Sequence, residues 1–550
     1  MTTARQRTTG YASEYAPAIV ARGREPMEPV DFVPNWGDAP RKGKYYPGVD
    51  VLPLPPGEVE PGATVAAGLA GPTGPARGFT LPLLAGMLLD SYAQIGRRLG
   101  VQANTDLAAL PSYAHANWNR GTASGGGLYP CSVYWVCGPG GPLTPGVYYY
   151  STPRHALQPL LLGDVTAEVR AALGDLPAAG ADQFLVIGVK YWQNAFKYNN
   201  FAYHAVTMDV GTVVQTWRIW AQAHGLRVDP ALWFDEPRLA SLLGLADDAE
   251  GLFAVVPLSW ADPAGPEPAG PGAAAGPTGP VWTGVGAESI GLAGVHVRHA
   301  DQERSQRVLT FDAVVAMHRA TTGHAADRPA PGALAPATVE ARPGPRLSLP
   351  DPESLPTDVR TALRRRKSSF GRFEAQRPLA PAQLATLLAA SAGVRFGCDA
   401  GDPPLARLYA FVNHADRVPA GSYEYDPAAN ALRPIRPGPP GEFLQRNYFL
   451  ANYNLEQAGA VLVPTVRIGA VLDAVGDRGY HLVNATIGAI AQACYTAAAA
   501  LGLGCGVALG FDAVSYIEEL GLAGTGEAPL LIMLVGPERP RPADFRYELV

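Results

Sequence analysis

Two long segments of this chain repeat the same order of local sequence patterns, and this repetition constrains the fold more than any other feature. Residues 146–160 (GVYYYSTPRHALQPL) indicate a hairpin, followed by a strand pattern, a helix pattern that begins at Tyr203 and a buried strand. Residues 421–435 (GSYEYDPAANALRPI) open the same series, whose helix pattern begins at Tyr480. Apolar residues recur at i, i+3, i+4 and i+7 in both helix patterns, and a glycine follows each as a C-cap. The repetition predicts two copies of one α+β unit.

The domain organisation follows from the chain length and from two tracts rich in Pro, Ala and Gly. A chain of 550 residues is too long for one hydrophobic core. Residues 263–280 and 321–357 bury too little apolar surface to offset their chain entropy, so we expect linkers or loops there, with a strand and a helix between them. The predicted boundaries are an N-terminal extension with the first helices at 1–100, a first domain at 101–262, a linker with a structured insert at 263–357 and a second domain at 358–550.

Charge and cysteine usage exclude several classes of protein. The net charge is -6, which gives no general attraction to nucleic acid. No uninterrupted apolar stretch reaches the roughly 18 residues that a membrane helix needs, and the start of the chain lacks the apolar core of a signal peptide. The five scattered cysteines form no CxxC motif and have no zinc-ligand spacing. We therefore expect a cytoplasmic protein with no membrane partner, no metal and no disulfide framework.

Four segments of the first half resemble a known family. They are NWGDAPRKGKYYPG (35–48), RGTASGGGLYPCSVYWV (120–136), the hairpin at 146–160 and FKYNNFAYHAVTMDVG (196–211). Taken in order, they resemble SagB-type dehydrogenases, the FMN-dependent azoline oxidases of the nitroreductase superfamily. The resemblance extends more weakly over residues 360–540.

This resemblance implies a fold and a reaction. The implied fold is α+β, with tandem nitroreductase-like domains that form an intramolecular pseudo-dimer and bind FMN between them. The implied reaction oxidises thiazoline or oxazoline rings of a ribosomally made, modified peptide to aromatic azoles, with O2 as final acceptor and a cyclodehydratase as a possible partner. The family often has Arg two residues before the Tyr that corresponds to Tyr203 and Arg just after it, where this chain has Phe201 and His204. We therefore expect different substrate contacts.

The cations for a dianionic FMN phosphate occur in the second half. Arginine can bind phosphate with two parallel hydrogen bonds, and the family opens the unit with an Arg-x-Ser-type segment and ends it with a basic residue. A solvated, charged linker end is the alternative interpretation. The predicted phosphate ligands are Arg366, Ser368 and Arg372, supported by Arg539 or Arg541, and the exit of the second long helix adds Gly502, Leu503 and Gly504 as cofactor-binding candidates.

The parts expected at the flavin ring occur in the first half. Ser124, Gly125 and Gly126 begin a glycine run whose backbone can approach a flat ring closely, with amides free to bond its edge. Arg120 opens the same segment and is a further cofactor-binding candidate. A tight turn is the alternative interpretation of the glycines. Because each half carries only part of the site, the sequence predicts one FMN per chain.

The proposed catalytic pair is Lys197 and Tyr198, which together match the family's Lys-Tyr signature. One of the two would accept the proton that leaves the azoline ring, and the sequence does not divide the roles. Lys190 and Tyr191 form a competing pair at a strand end, where a lysine usually extends to solvent. Two other functions stay open: an NAD(P)H-dependent nitro or quinone reductase, and a non-catalytic peptide-binding partner of a cyclodehydratase.

Overall fold

Each half of the chain folds into an antiparallel sheet flanked by helices. The computed structural model describes residues 10–58, 60–71, 74–102, 112–176, 180–245, 248–261, 294–338, 342–540 and 544–548. Both sheets are covered by helices that bury their apolar faces, and one continuous core contains residues of both halves.

The first half contains the sheet with strand order β1-β6-β5-β4-β7-β8, in which every neighbouring pair is antiparallel. Its elements are α1 (Ala12–Ala21), β1 (Leu52–Pro53), α2 (Val65–Ala70), α3 (Leu81–Tyr92), β2 (Gly96–Gln102), β3 (Ser112–Asn119), β4 (Cys131–Cys137), β5 (Gly146–Ser151), β6 (Ala156–Leu162), α4 (Thr166–Leu173), β7 (Gln183–Lys190), α5 (Trp192–Tyr198), α6 (Ala202–Ala223), α7 (Glu236–Leu242) and β8 (Glu250–Pro257). A connecting segment then carries α8 (Asp312–Thr322).

The second half repeats this order, with the sheet β14-β16-β13-β10-β11-β12-β9 and β15 paired to β13. Its elements are β9 (Leu347–Ser348), α9 (Val359–Arg365), α10 (Pro381–Ala392), β10 (Ala406–Val412), β11 (Gly421–Asp426), β12 (Ala431–Pro437), α11 (Gly441–Arg446), β13 (Ala460–Arg467), α12 (Ile468–Val475), α13 (Gly479–Ala500), β14 (Gly504–Ala508), α14 (Ala513–Glu519), β15 (Glu527–Pro529), β16 (Ile532–Gly536) and β17 (Asp544–Glu548). Strand β17 leaves its own half and pairs with β2, which also pairs with β3.

Helices α6 and α13 cross at the centre of the molecule through reciprocal contacts. A Cβ on Gly211 would overlap the carbonyl oxygen of Ala485, and a Cβ on Gly488 would overlap that of Met208. Each glycine lies eight residues after its helix's Tyr-His start. The close approach therefore requires glycine in both helices.

Two crossed hydrogen bonds join the starts of the same helices. The Tyr203 hydroxyl lies 2.6 Å from His481 Nε2, and the Tyr480 hydroxyl lies 2.8 Å from His204 Nδ1. All four side chains are buried, so each polar group finds its partner in the other half. The two halves thus share one interior.

The connecting segment is anchored to both halves rather than being a loose tether. Lys190 forms ion pairs of 2.6 Å with Asp301 and Glu303, and Arg328 pairs with the buried Asp399 at 3.2 Å. The predicted helix is present as α8, whereas residues 295–300 form no strand. The tract at 263–280 lies outside the described residues.

One helix of the described residues, α13, is long and apolar enough to cross a membrane, and 94% of its most apolar window is buried inside the protein. It is the core helix of the second half.

Candidate active site

The glycine segment of the first half is held against α6 by a buried carboxylate. Asp209 accepts hydrogen bonds from Ser124 Oγ at 2.6 Å and from the Gly125 amide at 2.8 Å. Ser124 Oγ in turn accepts from the Tyr129 amide at 2.8 Å. The Gly125 amide is therefore occupied, although the sequence suggested that the amides of this run are free. Burial raises the pKa of Asp209 to about 7, and the two hydrogen bonds oppose that rise.

The predicted catalytic pair lies against the same glycine segment. A Cβ on Gly126 would stand 2.5 Å from the Tyr198 hydroxyl and 2.7 Å from Lys197 Nζ. Gly126 also has a φ of +62°, a left-handed conformation that favours glycine. Glycine at this position thus leaves the room that the amine and the hydroxyl occupy. The structure brings Lys197, Tyr198 and Gly126 together.

Further cations lie beside the pair. Burial, and then the charges of Arg120 and Lys197, lower the pKa of Lys42. The Arg120 guanidinium lies between the rings of Tyr92 and Tyr129, at 4.7 and 4.2 Å, and donates to the Lys42 carbonyl at 3.3 Å. Lys42 was missed by the sequence reasoning, although it lies within the family-like segment 35–48.

An exposed tryptophan flanks Lys197. Trp36 is 59% exposed and packs edge-to-face on Phe196, with ring centroids 5.2 Å apart. Lys197 Nζ lies 5.9 Å from the Trp36 ring centroid. A large exposed aromatic ring next to a candidate catalytic amine is a surface on which a flat substrate ring can stack. Like Lys42, this tryptophan lies within the family-like segment 35–48, and the sequence reasoning did not single it out.

Phe201 stands where SagB-type dehydrogenases often have an arginine, and a guanidinium from elsewhere in the chain lies beside it. Arg22, one residue beyond α1, lies 4.0 Å over the Phe201 ring. Burial lowers the pKa of Arg22 to about 10, and Tyr198 is among the groups that oppose this shift, so the two side chains lie within electrostatic range. Arg22 thus provides a positive charge near the position where the family often has its own arginine.

Arg366 of the second half contacts the segment that enters the glycine run. Its Nε donates to the Gly121 carbonyl at 2.7 Å and its Nη2 to the Arg120 carbonyl at 2.9 Å. Gln492 of α13 reinforces the contact, because its Oε1 accepts from the Ala123 amide at 2.9 Å and its Nε2 donates to the Gly121 carbonyl. The predicted phosphate segment and the predicted ring segment are therefore in direct contact across the two halves.

The other predicted phosphate ligands in the described part of the chain are bonded to protein groups, and one of them, Ser368, lies near Arg366. Ser368 Oγ lies 2.9 Å from the Tyr495 hydroxyl, whose ring is 5.2 Å from the Arg366 guanidinium. Arg372 donates to the Arg539 carbonyl at 2.7 Å, and Arg539 donates to the Gly371 carbonyl at 3.0 Å. Arg372 Nε is buried and has no hydrogen-bond partner among the residues that the structure describes.

The glycine exit of α13 borders the same region. Gly502 has a φ of +70°, and the Leu503 amide donates to the Ala498 carbonyl at 2.8 Å to end the helix. A Cβ on Gly504 would lie 2.6 Å from Ser369 Oγ, so glycine allows β14 to approach the phosphate segment. Arg541 lies outside the described residues.

The competing Lys-Tyr pair is engaged in structural contacts. Lys190 does not extend to solvent, since two carboxylates of the connecting segment hold its amine. Tyr191 is buried and its hydroxyl lies 3.0 Å from His318 Nδ1.

Residues 363–537 match the sequence model of the Nitroreductase family. A solved nitroreductase-type protein from Anabaena variabilis superposes with a TM-score of 0.68 at 20% identity, covering 97% of this chain and 100% of that one. The fold is nitroreductase-like. The α+β prediction is confirmed at this level.

Two further structures overlap smaller parts of the chain. One is a nitroreductase-type protein from Ralstonia eutropha, with a TM-score of 0.28 and 23% identity over 37% of this chain and 98% of that one. The other is a chain of the Escherichia coli microcin synthetase McbBCD complex with truncated pro-MccB17 bound, with a TM-score of 0.28 and 19% identity over 32% of this chain and 70% of that one. No curated protein matches this chain in sequence.

Nitroreductase family proteins typically bind FMN, and the family match supports an oxidoreductase of the flavin type. The residues at the junction of the two halves fit such a cofactor chemically. Arg372 Nε, which has no hydrogen-bond partner in the part of the chain that the structure describes, is a donor suited to a phosphate, and Gly126 provides close backbone approach beside Lys197. Within the described ranges, no group of three or more His, Cys, Asp or Glu side chains could hold a metal ion.

Proposed function

We propose that this protein is an FMN-dependent oxidoreductase that converts thiazoline or oxazoline rings of a ribosomally made, modified peptide to aromatic azoles, with O2 as the final acceptor. The observation that carries the proposal is the convergence of Lys197 and Tyr198 on Gly126. That glycine belongs to the segment whose entrance Arg366 holds from the other half. The site therefore combines a candidate base with the cations that a flavin nucleotide needs.

We also propose that the two halves form an intramolecular pseudo-dimer with one FMN per chain. The reciprocal contacts of Gly211 and Gly488 and the crossed Tyr–His hydrogen bonds support this proposal, because equivalent residues contact each other across a two-fold interface. Arg366, Ser368 and Arg372 would hold the phosphate, and the glycine segment would approach the ring. The Arg/Lys/Ser cluster that follows α9 has no counterpart in sequence after α2, where the chain reads GPTGPARG and Arg77 is the single cation.

Each residue has a defined task in this proposal. Aromatisation removes one hydrogen as a proton from one ring carbon and one with its electron pair from the neighbouring carbon. FMN, when bound, supplies the acceptor for that electron pair and hydrogen. Lys197 Nζ or the Tyr198 hydroxyl takes the proton, because both lie at the same point beside Gly126. Trp36 supports the flat azoline ring by stacking.

The positive charges of Lys42 and Arg120 also act on the reaction. Lys42 lies within electrostatic range of both Lys197 and Arg120, and Arg120 is almost fully buried. Charges in a buried, weakly screened place stabilise negative charge that develops nearby. We expect them to stabilise the electron-rich ring system as its proton leaves.

The test compares two lysines of similar sequence context. Lys197→Ala is expected to keep its FMN and to lose oxidation of a synthetic thiazoline peptide, measured as the loss of two hydrogens by mass spectrometry. Lys190→Ala is the matched control, because that lysine has a structural contact only, and it is expected to oxidise the peptide. Full turnover by folded, FMN-loaded Lys197→Ala would refute the assignment.

The same preparations discriminate the other two functions. Rapid bleaching of the flavin by NADPH, without oxidation of the peptide, would favour a nitro or quinone reductase. A colourless protein from which no FMN can be extracted would favour a non-catalytic peptide-binding partner. An FMN-to-chain ratio of two would refute the single shared site.

A further inference from the structure

Three large apolar side chains of the second half are exposed on two short segments. Phe370 lies in the predicted phosphate segment, residues 368–372, and is 44% exposed. Phe449 and Leu450 follow α11 and are 46% and 54% exposed. We call these three side chains the apolar rim. One exposed apolar side chain is ordinary on a protein surface, whereas several on adjoining segments form a patch of the kind that binds ligands or partners.

The two segments that carry the apolar rim are in contact. The Phe370 ring stacks on Tyr453, with ring centroids 5.5 Å apart and an interplanar angle of 24°. A Cβ on Gly371 would lie 3.7 Å from the Asn452 carbonyl oxygen. The loop after α11, which supplies the other two members of the apolar rim, therefore lies against the phosphate segment.

The start of the same loop lies near the candidate catalytic pair. Burial raises the pKa of Tyr448, and Tyr198 adds to this rise, so the two side chains lie within electrostatic range. A Cβ on Gly23 would stand 2.6 Å from the tip of the Phe449 ring, so glycine admits this ring beside the end of α1. The guanidinium of the preceding residue lies over the Phe201 ring, whose centroid is 6.1 Å from that of Tyr198. The apolar rim thus borders the Lys-Tyr pair as well as the phosphate segment.

Phe370 holds a strained backbone conformation. Its φ is +49°, in the left-handed region that a bulky residue rarely adopts. Strain of this kind is concentrated at functional sites. Glycine would give the same turn without strain, and the ring that phenylalanine adds here is nearly half exposed. The strain therefore favours a binding task for the ring.

The chemistry and the position of the apolar rim indicate its occupant. Residues 447–455 (NYFLANYNL) carry no charge, so the loop offers apolar contact rather than an ion pair. Under the proposed function, the ring that is oxidised lies beside Lys197 and Tyr198. Successive residues of an extended peptide are about 3.3 Å apart, so the side chain next to that ring reaches the border of the Lys-Tyr pair. The bound cofactor and a second copy of this chain are the other candidate occupants, and each has a measurable consequence.

We propose that the apolar rim binds an apolar or aromatic side chain of the substrate peptide, next to the ring that is oxidised. This proposal rests on the proposed function, because it requires a peptide ring at the Lys-Tyr pair. Trp36 of the first half stacks on the ring, and the apolar rim of the second half binds the neighbouring residue. The protein therefore prefers rings that have apolar neighbours.

The experiment compares two synthetic thiazoline peptides that differ only in the residues on either side of the ring, which are Phe in one and Ser in the other. For the FMN-loaded full chain we expect KM to be about tenfold lower for the Phe peptide. The ratio of the two KM values should fall towards one in Phe370→Gly, whose φ suits glycine, and in the double variant Phe449→Ser with Leu450→Ser. Leu162→Ser is the matched control, because Leu162 is 64% exposed on β6 of the first half, and it should keep the wild-type ratio. Equal KM values in the wild type, or an unchanged ratio in both rim variants, would overturn the proposal.

Two measurements on the same variants test the other occupants. Loss of FMN from folded Phe370→Gly would show that the cofactor covers the apolar rim. A changed oligomeric state of the double variant in analytical ultracentrifugation would show that a second copy covers it. Either result would overturn the proposal, and we expect FMN content and oligomeric state to match those of the wild type.

A binding measurement separates this proposal from the proposed function. The Kd values of the two thiazole product peptides, measured by isothermal titration, do not depend on turnover. If neither thiazoline peptide is oxidised, the proposed function fails, and a tenfold preference for the Phe product that is lost in Phe370→Gly still supports the apolar rim as a peptide-binding surface. If both thiazoline peptides are oxidised with equal KM and their products bind equally, the proposed function stands and the apolar rim proposal fails.

Discussion

Asp209 couples the position of the glycine segment to pH, and Asp209→Asn isolates this effect. The folded protein holds the pKa of this carboxyl at about 7, against an ordinary value of 3.8. The folded state therefore binds a proton that the unfolded state has released, and stability from this group is lost as pH rises toward 7. Each unit is worth about 1.4 kcal/mol, and the folded carboxyl is already half ionised at pH 7, so the interval from pH 5 to pH 7 contributes roughly 2 kcal/mol.

The expected shift in melting temperature follows from the size of the chain. An unfolding entropy of about 2.1 cal/mol/K per residue gives roughly 1.2 kcal/mol/K for a chain of this length. The melting temperature of the wild type minus that of Asp209→Asn should thus fall by about 2 °C between pH 5 and pH 7 and stay level at higher pH. The exposed Asp175→Asn serves as the control with no such change. A constant difference between wild type and Asp209→Asn across this interval would refute the argument, since Asp209 would then be ionised throughout.

Three further substitutions test the geometry of the site and of the helix crossing. Gly126→Ala should lower turnover at least tenfold while FMN stays bound, because its Cβ displaces the Lys-Tyr pair; unchanged turnover would contradict the contact. Trp36→Ala should raise KM for a thiazoline peptide with little change in kcat or FMN content, and an unchanged KM would remove the stacking role. Gly488→Ala should destabilise the fold by about 1–3 kcal/mol, measured by denaturant unfolding, whereas Gly469→Ala, with open space around its Cβ, should not; equal stabilities would contradict the crossing.

The sequence predicted the elements well where hydrophobic periodicity is long. The helix patterns that begin at Tyr203 and Tyr480 correspond to α6 and α13, and the hairpin patterns correspond to β5–β6 and β11–β12. Periodicity of this kind depends on local spacing only, which is why it can be read without knowing the neighbours. The repetition of the two halves rests on the same local signal.

The contacts within the site could not be read in that way. Asp209 and Gly211 belong to the family-like segment 196–211, yet the sequence does not show that one holds Ser124 and the other admits α13. The expectation of free amides in the glycine run failed for the same reason, because the partner of the Gly125 amide lies 84 residues away in sequence. Long-range pairing of polar groups is set by the fold rather than by local pattern.

The two arginines that hold the segments before β4 and β10 come from different elements of the two halves. Arg366 lies on the segment after α9, so in holding the backbone of residues 120–121 it also brings Ser368 and Arg372 to the junction. On the other side, Arg218 of α6 holds the backbone before β10. The segment after α2 therefore needs no arginine for this contact. Under the proposed function, we therefore expect the origin of this guanidinium to decide which side can bind the FMN phosphate. The double variant Arg366→Ala with Tyr495→Arg moves this guanidinium from the segment after α9 to α13. We expect it to preserve the fold but abolish FMN retention. Retained FMN would show that Arg366 has only a structural task.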